Sequence, residues 1–419
     1  MLELYIGSSS PTKQKCFLWN MAGSFMFALS SMVLSLFVIR IVGTSTGGLF
    51  AIALTISQLF MFIAFFEMRN FQVTDAKFTY KFGEYHSAKL LMCLAMIIVC
   101  AIYVVLVGYE GEKAIIVLLV CLYRLFDAYA DVYESQFQAD GRLDLAGKSM
   151  TFRTLFSVSA LFVALALSGQ LIFSLVVANI SAFVFVILFD VVVMKKISRV
   201  SFSKEFSKIK EIIIQCTPLF IGVFCWSYIM SVSRIAIDAH MESQYQSYFT
   251  LIFLPVSVIS LFAGFLFRPL LPKLAFQYDE GKVRGFFLVI AKGLAVLAGL
   301  TVISMFGAYI IGIPVLSFLS GADLGVYRNL LVFLILAGGV NALGYTLYLV
   351  LTIMRASKSI LIGYVLSAIF AFVVVSPLVR ELGMSGAALG YFLVVSLLVI
   401  LFSGQIGLKF RKKKRKKVV

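Results

Sequence analysis

Histidine is scarce in this sequence, and its cysteines form no paired motif. Only two histidines occur in 419 residues, and the six cysteines include no Cys-x-x-Cys pair. Metal sites built from nitrogen and sulfur ligands need about four such groups close together, so we expect no metal and no cofactor. The cysteines lie within or at the edges of apolar segments, which is typical of small packing residues: Cys16, Cys93, Cys100, Cys121, Cys216 and Cys225.

Long polar stretches are also missing, which excludes a separate soluble domain. Hydrophobic residues make up 61% of the chain, whereas a soluble domain holds about 45–50%. A membrane-spanning helix needs about 20 apolar residues. The chain is therefore predicted to be an all-α membrane protein. Its apolar runs predict twelve transmembrane helices: 16–39, 48–66, 89–108, 114–134, 149–168, 171–193, 212–235, 244–267, 285–310, 329–352, 359–378 and 385–406.

Acidic residues are outnumbered, and the net charge is +16. In a soluble protein this excess would suggest nucleic acid, but its distribution indicates a membrane topology instead. With a cytoplasmic N-terminus, 29 of the 36 Lys and Arg residues fall on inner segments and five on outer ones. Positive charge favours the cytoplasmic side. Both termini are therefore predicted to be cytoplasmic, and no nucleic-acid partner is expected. The C-terminal residues 409–419, eight of which are basic, predict an anchor to anionic lipids, with docking of a partner as the alternative.

The two halves of the sequence resemble each other. The second helix of each half ends in a similar phrase, F-E-M-R-N at 66–70 and F-L-F-R-P at 265–269. This repeat predicts two six-helix lobes around a central cavity. The predicted organisation is an N-lobe (1–194), an amphipathic basic cytoplasmic linker helix (195–211), a C-lobe (212–408) and a polybasic tail (409–419).

Small and helix-breaking residues add two expectations. Pro218 and Pro255 lie inside predicted helices, where each is either a static packing feature or a bending point for alternating access. Gly386 and Gly390 are spaced for close approach of neighbouring backbones.

Charged residues inside the membrane are expensive and need a partner or a wet cavity. In the predicted helix 114–134, Arg124, Asp127 and Asp131 share one face, with Glu134 one turn further. Two interpretations stay open. The residues either neutralise one another in the bundle interior, or they line a cavity and meet the substrate or a coupling proton.

Further charges lie in or near other predicted helices. Arg234 and Asp238 form an i, i+4 pair near the outer face, and Arg40 also lies near that face. Lys292 lies too deep in its helix for easy contact with the membrane surface, whereas Arg153 can reach the inner interface. The excess of intramembrane cations indicates an anionic ligand, and arginine suits phosphate because its fork binds two oxygens.

An ordered set of phrases resembles a known family. They are R-I-V-G-T-S-T-G-G (40–48), M-R-N-F-Q-V-T-D (68–75), Y-R-L-F-D-A (123–128), R-L-D-L-A-G-K (142–148), F-R-P-L-L (267–271) and G-I-P-V-L-S-F-L-S-G (312–321). The sequence resembles bacterial polysaccharide (Wzx-type) flippases of the multidrug/oligosaccharidyl-lipid/polysaccharide exporter superfamily, in particular the Gram-positive branch.

The resemblance implies a non-enzymatic, multi-pass transporter in a bacterial cytoplasmic membrane. It would translocate an undecaprenyl-pyrophosphate-linked oligosaccharide by alternating access for surface polysaccharide assembly. Candidate protein partners are a polysaccharide polymerase and glycosyltransferases. The implied headgroup contacts are Arg40, Arg69, Arg124, Arg153 and Arg234, and the implied gating or coupling residues are Asp127, Asp131, Asp238 and Lys292.

Two other classes of function compete with this one. A multidrug exporter of cations in the same superfamily often has an acidic residue in its first helix, and residues 16–39 contain none. A membrane-embedded enzyme would need a catalytic acid or histidine in a sizeable loop or inside the membrane. The predicted outer loops are short, and neither histidine lies in mid-membrane.

Overall fold

The computed structural model of the protein describes residues 5–6, 11–75, 79–197, 201–267 and 270–416. Within these ranges the regular secondary structure is entirely helical, as the sequence predicted. The chain divides into two compact units, Met1–Phe224 and Cys225–Val419.

The first unit contains six helices and the start of a seventh. Helix α6 continues through a π-helix, Val186–Val191, into a last α-helical turn, Val192–Ile197. The helices are α1 (Lys13–Phe65), α2 (Met68–Thr74), α3 (Phe82–Val107), α4 (Gly111–Ala139), α5 (Leu143–Ser168), α6 (Leu171–Phe185) and α7 (Phe206–His240), the last of which continues into the second unit.

The second unit contains the end of α7 and five further helices. Helix α10 also continues through a π-helix, Ala308–Gly312, into an α-helical segment, Ile313–Ser320. The helices are α8 (Ser243–Phe267), α9 (Leu271–Asp279), α10 (Val283–Gly307), α11 (Arg328–Ile353) and α12 (Ser357–Lys416).

Two of the helices contain two membrane spans each. In α1 the backbone leaves the helical region at Gly43 (φ 81°, ψ 177°), and in α12 it does so at Gly383 (φ 57°, ψ −135°). Both positions require glycine because other residues rarely adopt such a positive φ. With each kinked helix counted as two spans, and with the charged helix α4 included, the described residues contain the twelve predicted spans.

The residues between the predicted spans at 40–47 and 379–384 therefore do not form loops. Apart from the single glycine in each, these residues continue the helices. Helix α12 runs on through Lys416, into the polybasic tail, whose cytoplasmic location stays a prediction. Pro218 and Pro255 lie inside α7 and α8, and their role as bending points stays a prediction.

The linker between the halves is not one helix. Residues 195–197 end the helix that follows α6, 201–205 are irregular, and α7 begins at Phe206. The serines of the irregular stretch bond to the start of α3 instead. The Ser203 amide donates to the Gly83 carbonyl (3.2 Å) and to Ser87 Oγ (3.0 Å). Ser203 Oγ also accepts a hydrogen bond from the Glu205 amide at 3.1 Å, a local side-chain bond of the kind that competes with helix.

Short helices occur at matching places in the two halves of the chain. Helix α2 follows the second span of the first half, and α9 follows the second span of the second half. This agreement supports the internal repeat. It also places Arg69 on α2, where two consecutive residues with positive φ, Phe66 (47°) and Glu67 (54°), turn the chain.

Glycines allow close backbone contacts in both units. A Cβ on Gly147 of α5 would lie 2.2 Å from the carbonyl carbon of Trp19 on α1. In α12 a Cβ on Gly386 would lie 1.9 Å from the Leu378 carbonyl oxygen, across the Gly383 kink. The predicted close approach at Gly386 is confirmed.

The cytoplasmic location of the linker stays a prediction with a direct test. Lys204 is exposed in the irregular stretch, and Glu110 is exposed just before α4. In a cysteine-free background, Lys204→Cys should resist an impermeant thiol reagent in intact cells and react after permeabilisation. The matched control Glu110→Cys should react in intact cells. Labelling of Lys204→Cys in intact cells would mean that the predicted topology is inverted.

Candidate functional site

The candidate site is a group of charged side chains inside the first unit. Helix α4 contributes four of them at helical spacing, Arg124, Asp127, Asp131 and Glu134, and all four are buried. Residues three, four and seven positions apart share a helix face, so these side chains project toward the same neighbours. Those neighbours are α1, α2, α3 and α5. Arg153 of α5 in turn reaches the π-helix that follows α6.

Arg153 of α5 is the most connected of these residues. Its Nε lies 3.1 Å from Asp127 Oδ1, and its NH2 lies 2.9 Å from Glu134 Oε1. Its NH1 donates to Ser149 Oγ at 3.0 Å and lies 3.6 Å from Asp190 Oδ2. The sequence placed Arg153 within reach of the inner interface, but the side chain is 2% exposed because it points into the bundle.

Arg124 is bound from two sides. Its NH1 lies 3.2 Å from Asp127 Oδ2, and its NH2 donates to Ser31 Oγ of α1. The guanidinium also lies 5.6 Å from the ring of Phe27, within range of a cation–π contact. The residue is 1% exposed, so α1 and α4 enclose it.

Two cations reach Asp131 from elements earlier in the chain. Lys89 Nζ of α3 lies 2.9 Å from Asp131 Oδ2 and also donates to the Phe65 carbonyl at 3.2 Å. Arg69 NH1 of α2 lies 3.2 Å from Asp131 Oδ1 and 3.0 Å from Glu134 Oε2. Lys89 is fully buried, whereas the Arg69 side chain keeps 26% of its surface exposed.

Asp190 joins the site through an irregular helix. It lies in the π-helix Val186–Val191 and is 1% exposed. Ser149 Oγ of α5 donates to its Oδ1, while its Oδ2 has no hydrogen-bond partner among the described residues. A π-helix is rare and often marks a functional position.

These residues form the charge cluster, with four cations and four carboxylates: Arg69, Lys89, Arg124, Arg153, Asp127, Asp131, Glu134 and Asp190. Buried charges of one sign need compensation by the other sign. The ion pairs are the arrangement expected of mutual neutralisation in the bundle interior. Contact of Arg69, Arg124 and Arg153 with a headgroup, and a gating or coupling role for Asp127 and Asp131, stay predictions.

Sequence reasoning missed Lys89 and Asp190 as members of the cluster. Lys89 is the first residue of its predicted helix, and a lysine at a helix end is usually exposed to solvent. Helix α3 instead begins seven residues earlier, at Phe82, so Lys89 lies inside the helix. Asp190 stood near the predicted end of its helix. A lone acid within an apolar run was the signal available for Asp190.

The other predicted site residues lie outside the cluster. Arg40 is exposed on α1, and Lys292 is exposed on α10. Arg234 of α7 is partly buried. Its NH2 donates to the Met230 carbonyl at 3.2 Å, and its guanidinium lies 5.2 Å from the Phe253 ring. Asp238 is partly buried one turn further along α7.

Among the described residues, no group of three or more His, Cys, Asp and Glu side chains is arranged to hold a metal ion. The carboxylates of the charge cluster face arginine and lysine instead.

Comparisons with known proteins identify the fold. No family model and no curated protein sequence matches the chain. Among solved structures, the lipid II flippase MurJ in an inward closed conformation aligns at TM-score 0.71 and 14% identity, over 93% of this chain and 87% of that one. The eukaryotic MATE transporter AtDTX14 aligns at TM-score 0.61 and 15% identity, over 97% of this chain and 99% of that one.

A third solved structure, with a lower TM-score, also aligns with this chain. A MOP superfamily transporter from Pyrococcus furiosus aligns at TM-score 0.53 and 11% identity, over 96% of both chains. The alignments span nearly the full length of membrane transporters. The chain has the fold of the MOP superfamily transporters, with twelve membrane helices in two lobes.

Proposed function

We propose that this protein is a flippase for a lipid-linked oligosaccharide. It translocates an undecaprenyl-pyrophosphate-linked oligosaccharide from the inner to the outer leaflet of a bacterial cytoplasmic membrane by alternating access. The product serves surface polysaccharide assembly of the capsule, exopolysaccharide or teichoic-acid type. The fold supports the transporter class, since its structural relatives include a lipid II flippase as well as multidrug transporters.

The choice of a flippase over a multidrug exporter rests on the buried carboxylates of the charge cluster, whose negative charge is already neutralised by cations of the protein. Asp127, Asp131 and Glu134 each contact two cations at 3.2 Å or less. A site for cationic drugs needs carboxylates whose charge is still available to the drug. Helix α1, which contains the first two spans, has no Asp or Glu at all. The first unit therefore offers a cationic drug little to bind.

Exposed cations support an anionic ligand instead. Of the five candidate arginines, Arg40 and the edge of Arg69 are accessible in the first unit, and Arg234 is partly accessible in the second. We propose Arg69, the accessible member of the charge cluster, as a headgroup contact, while Arg40 and Arg234 stay candidate contacts, each within its own unit. Arg124 and Arg153 are nearly fully buried. In this proposal Arg153 positions Arg69 through Glu134, which both arginines contact. Arg124 supports Arg153 through Asp127, which those two share. A guanidinium binds two phosphate oxygens at once, which suits a pyrophosphate headgroup.

Deletion of the gene tests the proposal. The deletion strain should accumulate lipid-linked oligosaccharide on the inner leaflet and lose surface polysaccharide, and expression of the intact protein should restore both. Normal surface polysaccharide in a deletion strain that has no second copy of such a transporter would contradict the flippase. Hypersensitivity to cationic drugs with unchanged polysaccharide would instead indicate a multidrug exporter.

A further inference from the structure

We propose that Asp190 is a proton-binding site, and that its proton sets the net charge of the charge cluster and thereby its affinity for an anionic ligand. The proton site rests on the geometry of the first unit alone. Its link to an anionic ligand rests on the proposed function.

Asp190 has the least compensation of the four carboxylates. Asp127, Asp131 and Glu134 each have two cations within 3.2 Å. Asp190 has one, Arg153, and NH1 of that arginine is 3.6 Å away, beyond a good hydrogen bond. Arg153 also serves Asp127 and Glu134 at shorter distances, so Asp190 receives the smallest share of its charge.

Because Asp190 is buried, the weak compensation of its charge destabilises its ionised form. Asp190 is 1% exposed, and its Oδ2 has no hydrogen-bond partner among the described residues. An ionised carboxylate without water and without full pairing costs several kcal/mol, and such a group takes up a proton instead. The Ser149 hydroxyl donates to Oδ1 and partly stabilises the anion, so both protonation states have a structural basis.

The π-helix brings Asp190 into this position. Its neighbours Ile187 and Leu188 are 38% and 52% exposed, as expected of side chains that face lipid. Asp190, two residues after Leu188, instead turns inward toward Ser149 and Arg153 of α5. A π-helix is rare, and one that buries an acid is typical of a functional position.

Among the titratable groups in this part of the first unit, Asp190 is the one best suited to change its charge. From α5 it faces Arg153, and from α4 it lies near Glu134, Tyr129 and Tyr133. Tyr5 also lies near, with its ring 5.1 Å from that of Phe189. Arginine stays protonated in proteins, phenols ordinarily titrate near 10, and Glu134 is held by two arginines.

Protonation of Asp190 changes the charge that the cluster presents. With the proton bound, four cations face three carboxylates and the cluster carries one net positive charge. Without the proton the cluster is neutral. Arg69 is the member with substantial exposed surface, at 26% of its side chain, so it presents the excess charge to a ligand. By linkage, an anion bound there must strengthen proton binding by the same factor.

Infrared spectroscopy of the full-length protein in lipid nanodiscs tests the proton site without any substrate. The wild type should show a protonated-carboxyl band that titrates with pH. Asp190→Asn should lose this band. The matched variant Asp131→Asn should keep it, because Asp131 is as buried but is held by two cations. A band that survives in Asp190→Asn would overturn the proposal.

Ser149→Ala keeps the carboxyl and guards against a variant that fails to fold. Loss of the hydroxyl donor destabilises the anion, so the midpoint of the band should move to higher pH. An unmoved midpoint would contradict the proposed site.

Inorganic sulfate, which does not titrate near neutral pH, tests the link to anions. It should move the wild-type midpoint to higher pH, by about one unit for each tenfold difference in its affinity between the two protonation states. A band that belongs to Asp190 but ignores sulfate would support the proton site and count against the anionic ligand, and with it the proposed function.

Discussion

Replacement of Arg153 with methionine is expected to lower the stability of the first unit by about 3–5 kcal/mol, the usual cost of removing one partner from a buried ionic network. Arg153 contacts Asp127, Glu134 and Asp190, so its loss weakens the compensation of all three at once. Thermal unfolding of the purified protein in detergent should show a large fall in Tm relative to the wild type.

A balanced variant separates charge from packing. Arg153→Met combined with Glu134→Gln removes one cation and one carboxylate, and it should recover much of the lost stability. Arg142→Met is the matched control, since Arg142 pairs with Asp144 at 3.0 Å outside the cluster and is 8% exposed. Its effect should be smaller. A double variant no more stable than Arg153→Met would show that charge balance is not the reason for the loss.

A membrane potential of about 100 mV is expected to raise the equilibrium ratio of the proposed substrate, outer leaflet to inner leaflet, more than a thousandfold. A pyrophosphate headgroup carries about two negative charges, and each is worth about 2.3 kcal/mol per 100 mV when the interior is negative. Two charges therefore give about 4.6 kcal/mol. Because about 1.4 kcal/mol changes an equilibrium ratio tenfold, this energy corresponds to more than a thousandfold. The prediction assumes that the cations of the cluster stay in place, as their multiple ion pairs within one unit suggest.

Proteoliposomes with an imposed potassium-diffusion potential and equal pH on both sides provide the measurement. Since the pH is equal, protonation of Asp190 supplies no driving force in this assay. Collapse of the potential should abolish net export. Transport that ignores the potential and follows a pH or sodium gradient would contradict the prediction. It would direct attention to ion coupling through Asp127, Asp131 and Asp238.

Local patterns in the sequence were sufficient to predict the helices. Apolar runs predict the spans, because a helix that faces lipid must be largely apolar over its own length. Helix α4 is predicted from a shorter apolar run, 114–123, and its charged half depends on its neighbours. The kinks at Gly43 and Gly383 were read as loops, since a single glycine can redirect the chain without ending the helical hydrogen bonding. The helical linker was wrong because its serines found partners on α3, and such a choice depends on tertiary contacts.

The candidate site shows the same limit. The shared face of Arg124, Asp127 and Asp131 follows from spacing along one helix, and the structure agrees. The partners from other helices do not follow from spacing. Lys89 and Asp190 lie 42 residues before and 59 residues after Asp131 in the sequence, and only the packing of α3 and the π-helix against α4 and α5 brings them together.

The charged face of α4 has a consequence for biosynthesis. By length and apolar composition, nine helical stretches among the described residues qualify as membrane spans, and Gly111–Ala139 is not one of them. Each Asp, Lys or Arg at the centre of a helix costs about 2.5–3.5 kcal/mol during insertion by the cellular machinery. Helix α4 therefore depends on its neighbours to enter the bilayer.

Those neighbours emerge from the ribosome at different times. Arg69 and Lys89 precede α4, whereas Arg153 and Asp190 follow it. During synthesis α4 must wait at the membrane with part of its charge uncompensated until α5 and α6 arrive. Variants that unbalance the cluster should therefore give less inserted protein than the wild type, in addition to the lower stability of the chains that do insert.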